Sequence, residues 1–186
     1  MFKFLDLFKK KPLNEIPTIK PTTEHKKDDK EQHELFLVEL ENILVSSNFF
    51  KKKYVIKYKN LYKSYKSFTG KDHSLLEKQS FFLESLTDEA QQFTKREVKL
   101  YAKNIILLAS QRANKKVMLN RFKESGFQEV TLVFPRNELI CETMLGKKKK
   151  YNNKTISILK APIFPLITCM KCSTCYQGIT YKPFFK

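Results

Sequence analysis

The strongest constraint on this chain is a change of hydrophobic period at Gly126. Before it, Val98, Tyr101, Ala102, Ile105, Leu108, Ala109, Arg112 and Ala113 recur at three- and four-residue spacing. That spacing lines one face of a helix. Val117, Leu119 and Phe122 continue the stripe with some drift, and a bend near Ser110 to Asn114 would absorb it. Asp88 and Glu89 stand near its start, where negative charge suits the helix dipole. Gly126 is a natural stop, because glycine tolerates the left-handed conformation that ends a helix. FQEVTLVF (127–134) follows at once and is terminated by Pro135. Its β-branched and aromatic content predicts a strand. The expected fold class is therefore α+β: a mainly helical body followed by a small β-rich, cysteine-containing C-terminal module. Residues 1–34 read as a flexible lead and linker, 35–126 as the helical domain and 127–186 as the small module.

The remaining segments fill in this outline. Residues 12–34 contain Pro12, Pro17 and Pro21 and the polar run TTEHKKDDKEQHE, which offers little to bury. Residues 35–68 predict helix, with Leu37, Leu40 and Leu44 in one stripe and Tyr54, Tyr58, Leu61, Tyr62 and Tyr65 in another. Ser46, Ser47 and Asn48 mark a break between two helices. The alternation in YVIKYKNLY (54–62) leaves a strand open for that stretch. Gly70 to Asp72 read as a turn and 73–86 as a short helix. After Pro135, short elements are expected, with KTISILK (154–160) as a second strand and Pro162 and Pro165 bracketing a turn.

The charge is concentrated rather than spread. The net charge is +17, from 36 basic and 19 acidic residues. Two blocks supply it: residues 51–71 hold eight lysines and no acid, and residues 143–186 hold nine lysines and no acid. Such blocks attract polyanions. Lys51, Lys52, Lys53, Lys57 and Lys147, Lys148, Lys149, Lys150 are the candidate nucleic-acid contacts. Lysine-rich surfaces that bind nothing specific are the competing reading. Only Arg96, Arg112, Arg121 and Arg136 stand against 32 lysines. Arginine is the better bidentate reader of base edges, so sequence-blind contact is expected. The tyrosine stripe beside Lys57, Lys59 and Lys63 could stack bases; a core face with hydroxyls at its edge is the commoner use of such a stripe.

Cys169, Cys172 and Cys175 form C-x2-C-x2-C, and Cys141 lies upstream. Four thiolates are the ligand count of a tetrahedral zinc site, and two-residue spacers let successive thiolates converge on one ion. A small module with little core would gain folding energy from such a site. Incidental thiols, disulfides and iron–sulfur ligation remain alternatives. The usual paired C-x2-C is missing at Cys141, and no C-x3-C-P continuation follows Cys175.

No catalytic constellation is visible, and the expectation is a protein that is not an enzyme. His25 and His33 fall in the polar run and read as solvated; His73 reads as a helix-cap residue. No H-E-x-x-H, G-x-S-x-G, P-loop or dinucleotide motif occurs. The longest apolar run, Ala161 to Ile167, is seven residues, far short of the roughly 18 that span a bilayer. In MFKFLDLF the basic residues Lys9 to Lys11 follow the apolar stretch, the reverse of the export-signal order. Phe2, Leu5 and Phe8 share a helical face, so membrane-surface contact through residues 1–11 is a lesser reading.

From Ala102 onward the order of features resembles the C-terminal region of the phage head-morphogenesis, or minor head protein, family. The matching stretches are ASQRANKKVMLNRFKESG (109–126), QEVTLVF (128–134), ICETMLGKKKKY (140–151) and APIFPLITCMKCS (161–173). Arg121, Phe122, Lys123 and Gly126 match that family's helix end. Cys141, Gly146, Lys147 and Tyr151 match its middle element, and Cys169 or Cys172 its closing cysteines. Cys141 is followed by Glu-Thr-Met instead of a second cysteine, and the closing histidine is absent. The resemblance implies a non-enzymatic minor capsid component of a virion or of assembly in the host cytoplasm. Its partners would be a capsid or portal protein and, without sequence preference, DNA. The alternative is a small basic zinc-containing nucleic-acid-binding regulator.

Overall fold

The computed structural model describes residues 23–64, 75–136, 140–171 and 178–185, with the backbone alone for 23–28, 170 and 171. The longest element, α5 (Lys95–Glu124), has both ends fixed by local chemistry. Thr94 caps its start: the hydroxyl accepts the Glu97 amide at 3.3 Å while Glu97 Oε2 accepts the Thr94 amide at 2.8 Å. This reciprocal pair satisfies two otherwise unpaired donors. At the other end Gly126 adopts φ +86°, the Gly126 amide donates to Lys123 and the Phe127 amide to Phe122. The Phe122 and Phe127 rings meet edge-on, which completes a Schellman ending. The helix is continuous through Ser110 to Asn114, with no interruption where the drift in spacing pointed to a bend.

Helix α1 (Thr23–Ser46) lies antiparallel to α5. Glu31 meets Asn120 near one end and Glu39 meets Arg112 midway, while Phe49, just past α1, stacks on Tyr101 at 4.2 Å. Phe36, Leu40, Ile43 and Leu44 of α1 are buried against Ala102, Ile105, Leu108, Ala109 and Ala113 of α5. The three alanines have little side chain to separate the helices. The polar run expected to be linker is helical from Thr23 on. Polar pairs explain why: the Gln32 amide bonds to Asn114, and Asn120 Nδ2 donates to Glu31 at 2.7 Å. His33, expected in solvent, is half-buried with its ring against Phe36.

The break at Ser47 to Asn48 is present, with Asn48 at φ +50°. A 3-10 turn (Lys52–Tyr54) and α2 (Val55–Lys63) follow, so residues 54–62 are helical and not a strand. Tyr54, Tyr58 and Tyr62 face the core. Residues 75–81 form successive turns rather than the expected helix. Between residue 75 and α5, α3 (Phe82–Ser85) and α4 (Asp88–Gln91) are the helical pieces. Phe50 bridges Leu86, and Tyr58 shares a 2.5 Å hydrogen bond with Ser85.

After Gly126, β1 (Glu129–Val133) is the central strand of an antiparallel sheet. Its neighbours are β2 (Thr155–Ser157) and β3 (Thr180–Pro183). Val130 and Leu132 point inward; Thr131 pairs with Thr155 on one side and Lys182 on the other. ICETMLGKKKKY is not a string of short elements: α6 (Glu142–Tyr151) includes all four lysines. A second core forms from Val130, Leu132, Phe134, Ile140, Met144, Ile158, Phe164, Cys169, Ile179 and Tyr181, with Leu119 from the end of α5. The molecule is therefore a mainly helical body followed by a small sheet-containing module, with α5 contributing to both cores. Gly178, at φ +99°, leads into β3; a Cβ there would stand 2.8 Å from the Pro135 Cβ.

Candidate functional site

The C-terminal lysines ride on a sheet edge and a helix end. Lys149 and Lys150 at the end of α6 and Lys154 and Lys160 beyond it are exposed. Lys148 is half-buried and its Nζ donates to the Pro135 carbonyl at 2.7 Å, so this lysine pins the chain after β1. Positive charge at a helix C-terminus also suits the dipole. Across the sheet, Thr155, Thr131 and Lys182 stand in one row, and the two hydroxyls are 2.9 Å apart. Lys182 is exposed. The row presents two hydroxyls and an ammonium group on one face of the sheet. The sequence alone did not reveal it, because pairing of β1 with β3 brings Lys182 beside residues some fifty positions earlier.

The first lysine block is arranged differently. Lys52, Lys53 and Lys57 are exposed. The Nζ atoms of Lys53 and Lys57 each lie 5.1 Å from the centroid of the Tyr54 ring. Lys51 Nζ donates to the Glu84 carbonyl at 3.2 Å, and the Tyr54 hydroxyl bonds to the Glu84 carboxylate. That hydrogen bond and the field of Lys53, Lys57 and Lys51 hold the Glu84 carboxyl below its ordinary range. Lys59 is paired with Glu41 at 2.5 Å. Tyr54, Tyr58 and Tyr62 of this block are core residues, and Tyr58 and Tyr62 are fully buried. Burial pushes Tyr58 up to about 12.

Arg112 is a strut. Its Nε donates to Glu39 at 2.6 Å and its Nη1 donates to the carbonyls of Ile163 and Pro165, both at 2.8 Å. Lys116 Nζ reaches the other Glu39 oxygen at 2.5 Å. Burial pushes the Glu39 carboxyl up, but the hydrogen bonds and charges of Lys116 and Arg112 outweigh it and hold the group low. The cluster joins the body to the 163–165 loop. Tyr181 continues the joint: its hydroxyl donates to Pro162 at 2.5 Å and accepts the Phe164 amide at 2.9 Å.

Cys141 sits at the N-terminal edge of α6, half-buried, and Cys169 is buried in the same apolar cluster. Cys172 and Cys175 lie outside the described residues, as do residues 1–22, the turn at 70–72 and His73. Two of the four candidate zinc ligands thus belong to one core. Among the described residues no group of three or more His, Cys, Asp or Glu is placed to hold a metal. Among the same residues, no helix is long and apolar enough to cross a membrane. A cavity of about 1090 Å³ opens in the helical body beside Phe82, Leu83, Leu86, Phe93 and Val98, and Leu83 is 72% exposed.

No family model, no curated protein and no solved structure matches this chain.

Proposed function

We propose that this chain is a non-enzymatic structural or assembly protein, a minor head component of a phage, that contacts DNA through its C-terminal module without reading sequence. One observation carries the DNA contact. Lys149, Lys150, Lys154, Lys160 and Lys182 are exposed in a stretch that contains no acid from residue 143 on. No acid falls within the stretch itself, so its lysines give a net positive field that attracts a polyanion. Arg112, one of four arginines, is committed to Glu39 and two carbonyls, which further reduces the means of base readout. The assembly role rests on the resemblance in residues 109–173. The exposed Leu83 beside an aromatic groove also favours protein contact.

Binding of the purified full chain to two unrelated duplexes at about 50 mM salt tests the DNA contact. Equal affinities are expected. The Lys149→Ala/Lys150→Ala/Lys154→Ala variant should lower the salt slope by about two to three. Absence of binding, or a strong preference for one duplex, overturns the reading. Co-sedimentation with a capsid or portal protein tests the assembly role.

The second reading is a zinc-containing nucleic-acid-binding protein, favoured by the shared core of Cys141 and Cys169. Thiolates of Cys141, Cys169, Cys172 and Cys175 would hold the ion, which would supply folding energy rather than chemistry. Metal analysis of the protein and of its four single Cys→Ser variants decides it: stoichiometry well below one zinc per chain ends this reading.

A further inference from the structure

The two lysine blocks are not equivalent polyanion surfaces, because one carries its own anion. Lys51, Lys53 and Lys57 gather around Tyr54 and Glu84: Lys53 and Lys57 over the Tyr54 ring at 5.1 Å, Lys51 on the Glu84 carbonyl at 3.2 Å. Lys57 also lies 5.4 Å from the Phe81 ring centroid. The Tyr54 hydroxyl holds the Glu84 carboxylate, which feels the charges of Lys53, Lys57 and Lys51. The position is set by the fold, since Lys51 N donates to Ser85 O at 2.7 Å and ties the start of the block to the end of α3. No acid occurs within residues 51–71, so this carboxylate is brought in from another part of the chain.

We infer that Glu84 is a built-in competitor for polyanion at the first lysine block: its carboxylate takes the place that a backbone phosphate would take beside Lys51, Lys53 and Lys57. The inference rests on the polyanion reading proposed above and says which block carries it: with Glu84 in place, the C-terminal module is the main grip.

The test compares Glu84→Gln with Glu124→Gln in the full chain. Both change the net charge equally, and Glu124 is an exposed acid at the far end of α5. Glutamine keeps an oxygen for the Tyr54 hydroxyl, so the fold is retained, which thermal melts check. A fluorescent mixed-sequence duplex is titrated between about 50 and 200 mM salt. Glu84→Gln should tighten binding about threefold, on the order of one unit-charge interaction in water. It should also steepen the salt slope by about one. Glu124→Gln should change affinity less than Glu84→Gln does, and its gain should persist when Lys53 and Lys57 are alanine. In a Lys53→Ala/Lys57→Ala background the gain from Glu84→Gln should vanish. Equal effects of the two glutamine variants on a protein that binds DNA would overturn the inference and leave the polyanion reading standing. No binding by any variant overturns both.

Discussion

The helical body and the C-terminal module bury their interiors by different means. In the body, long helices present stripes: α1 and α5 satisfy their own backbones, and apolar and aromatic side chains close the gap. Among the described residues the module has three short strands, one ten-residue helix, two 3-10 turns and a Pro-rich loop. Short elements leave many backbone groups without partners, and each must find a side chain. Here Lys148 serves Pro135, Asn152 accepts the Phe134 amide, Tyr181 serves Pro162 and Phe164, and Arg112 serves Ile163 and Pro165. The body depends on period; the module depends on particular side chains.

Removing the strut should break the comparison most severely. Arg112→Ala leaves Glu39, 1% exposed, with Lys116 as its remaining ion-pair partner, and strips a donor from two carbonyls. A loss of about 2–4 kcal/mol is expected, because a charge-assisted hydrogen bond goes and two carbonyls lose their donor while Lys116 still compensates Glu39. Urea unfolding measures it. A loss under about 1 kcal/mol would show that the module does not lean on this contact. Acid should act on the same place. Glu39 is held below its ordinary range, so its contribution is present above the unfolded-state pKa of about 4.5. It is lost as pH falls through the lower folded value.

Alkali offers one probe for each core. Burial pushes both Tyr58 in the body and Tyr181 in the module up to about 12. A raised value means stability is intact below about 10 and is lost as pH rises through the folded value. Each tyrosine should cost about 1.4 kcal/mol per pH unit in that window. Tyr58→Phe and Tyr181→Phe should each flatten the decline by one proton's worth. At neutral pH they should differ. Tyr181→Phe abandons a carbonyl and an amide and should cost about 1–3 kcal/mol; Tyr58→Phe removes one bond to Ser85 and should cost about 1 kcal/mol. Equal losses would erase the distinction between the two interiors.

The same contrast explains what the sequence disclosed. α5, its stop at Gly126, β1 and the break after Ser46 were legible because period and local chemistry determine them. α6 was not: Met144, Leu145 and Tyr151 are its main apolar contacts, and Gly146 and four lysines obscure the period. β3 was hidden because its hydrogen-bond partner is chosen by the fold, and Pro183 falls at its end. The helix through the polar run was hidden because Glu31 and Gln32 find their partners on α5. At the candidate site, the exposed lysines could be named from composition. Glu84 among Lys51, Lys53 and Lys57 could not, because it comes from more than twenty residues away. Neither could the pairing of Arg112 with Glu39, which are 73 positions apart.

The smallest effects concern α5, the element shared by both cores. Thr94→Ala removes the cap at its start and should cost about 1 kcal/mol. Gly126→Ala forces a side chain into φ +86° at its end. The added Cβ would meet nothing within 4 Å, so the cost is backbone strain alone, about 1–2 kcal/mol. Amide hydrogen exchange should separate the two. Thr94→Ala should speed exchange in the first turns of α5, where Val98 joins the body core. Gly126→Ala should speed it around Leu119 and β1, in the module core. If each variant speeds exchange evenly through both cores, α5 transmits every perturbation along its length. The two interiors would then open as one cooperative unit, and the difference between stripe and side-chain burial would have no consequence for stability.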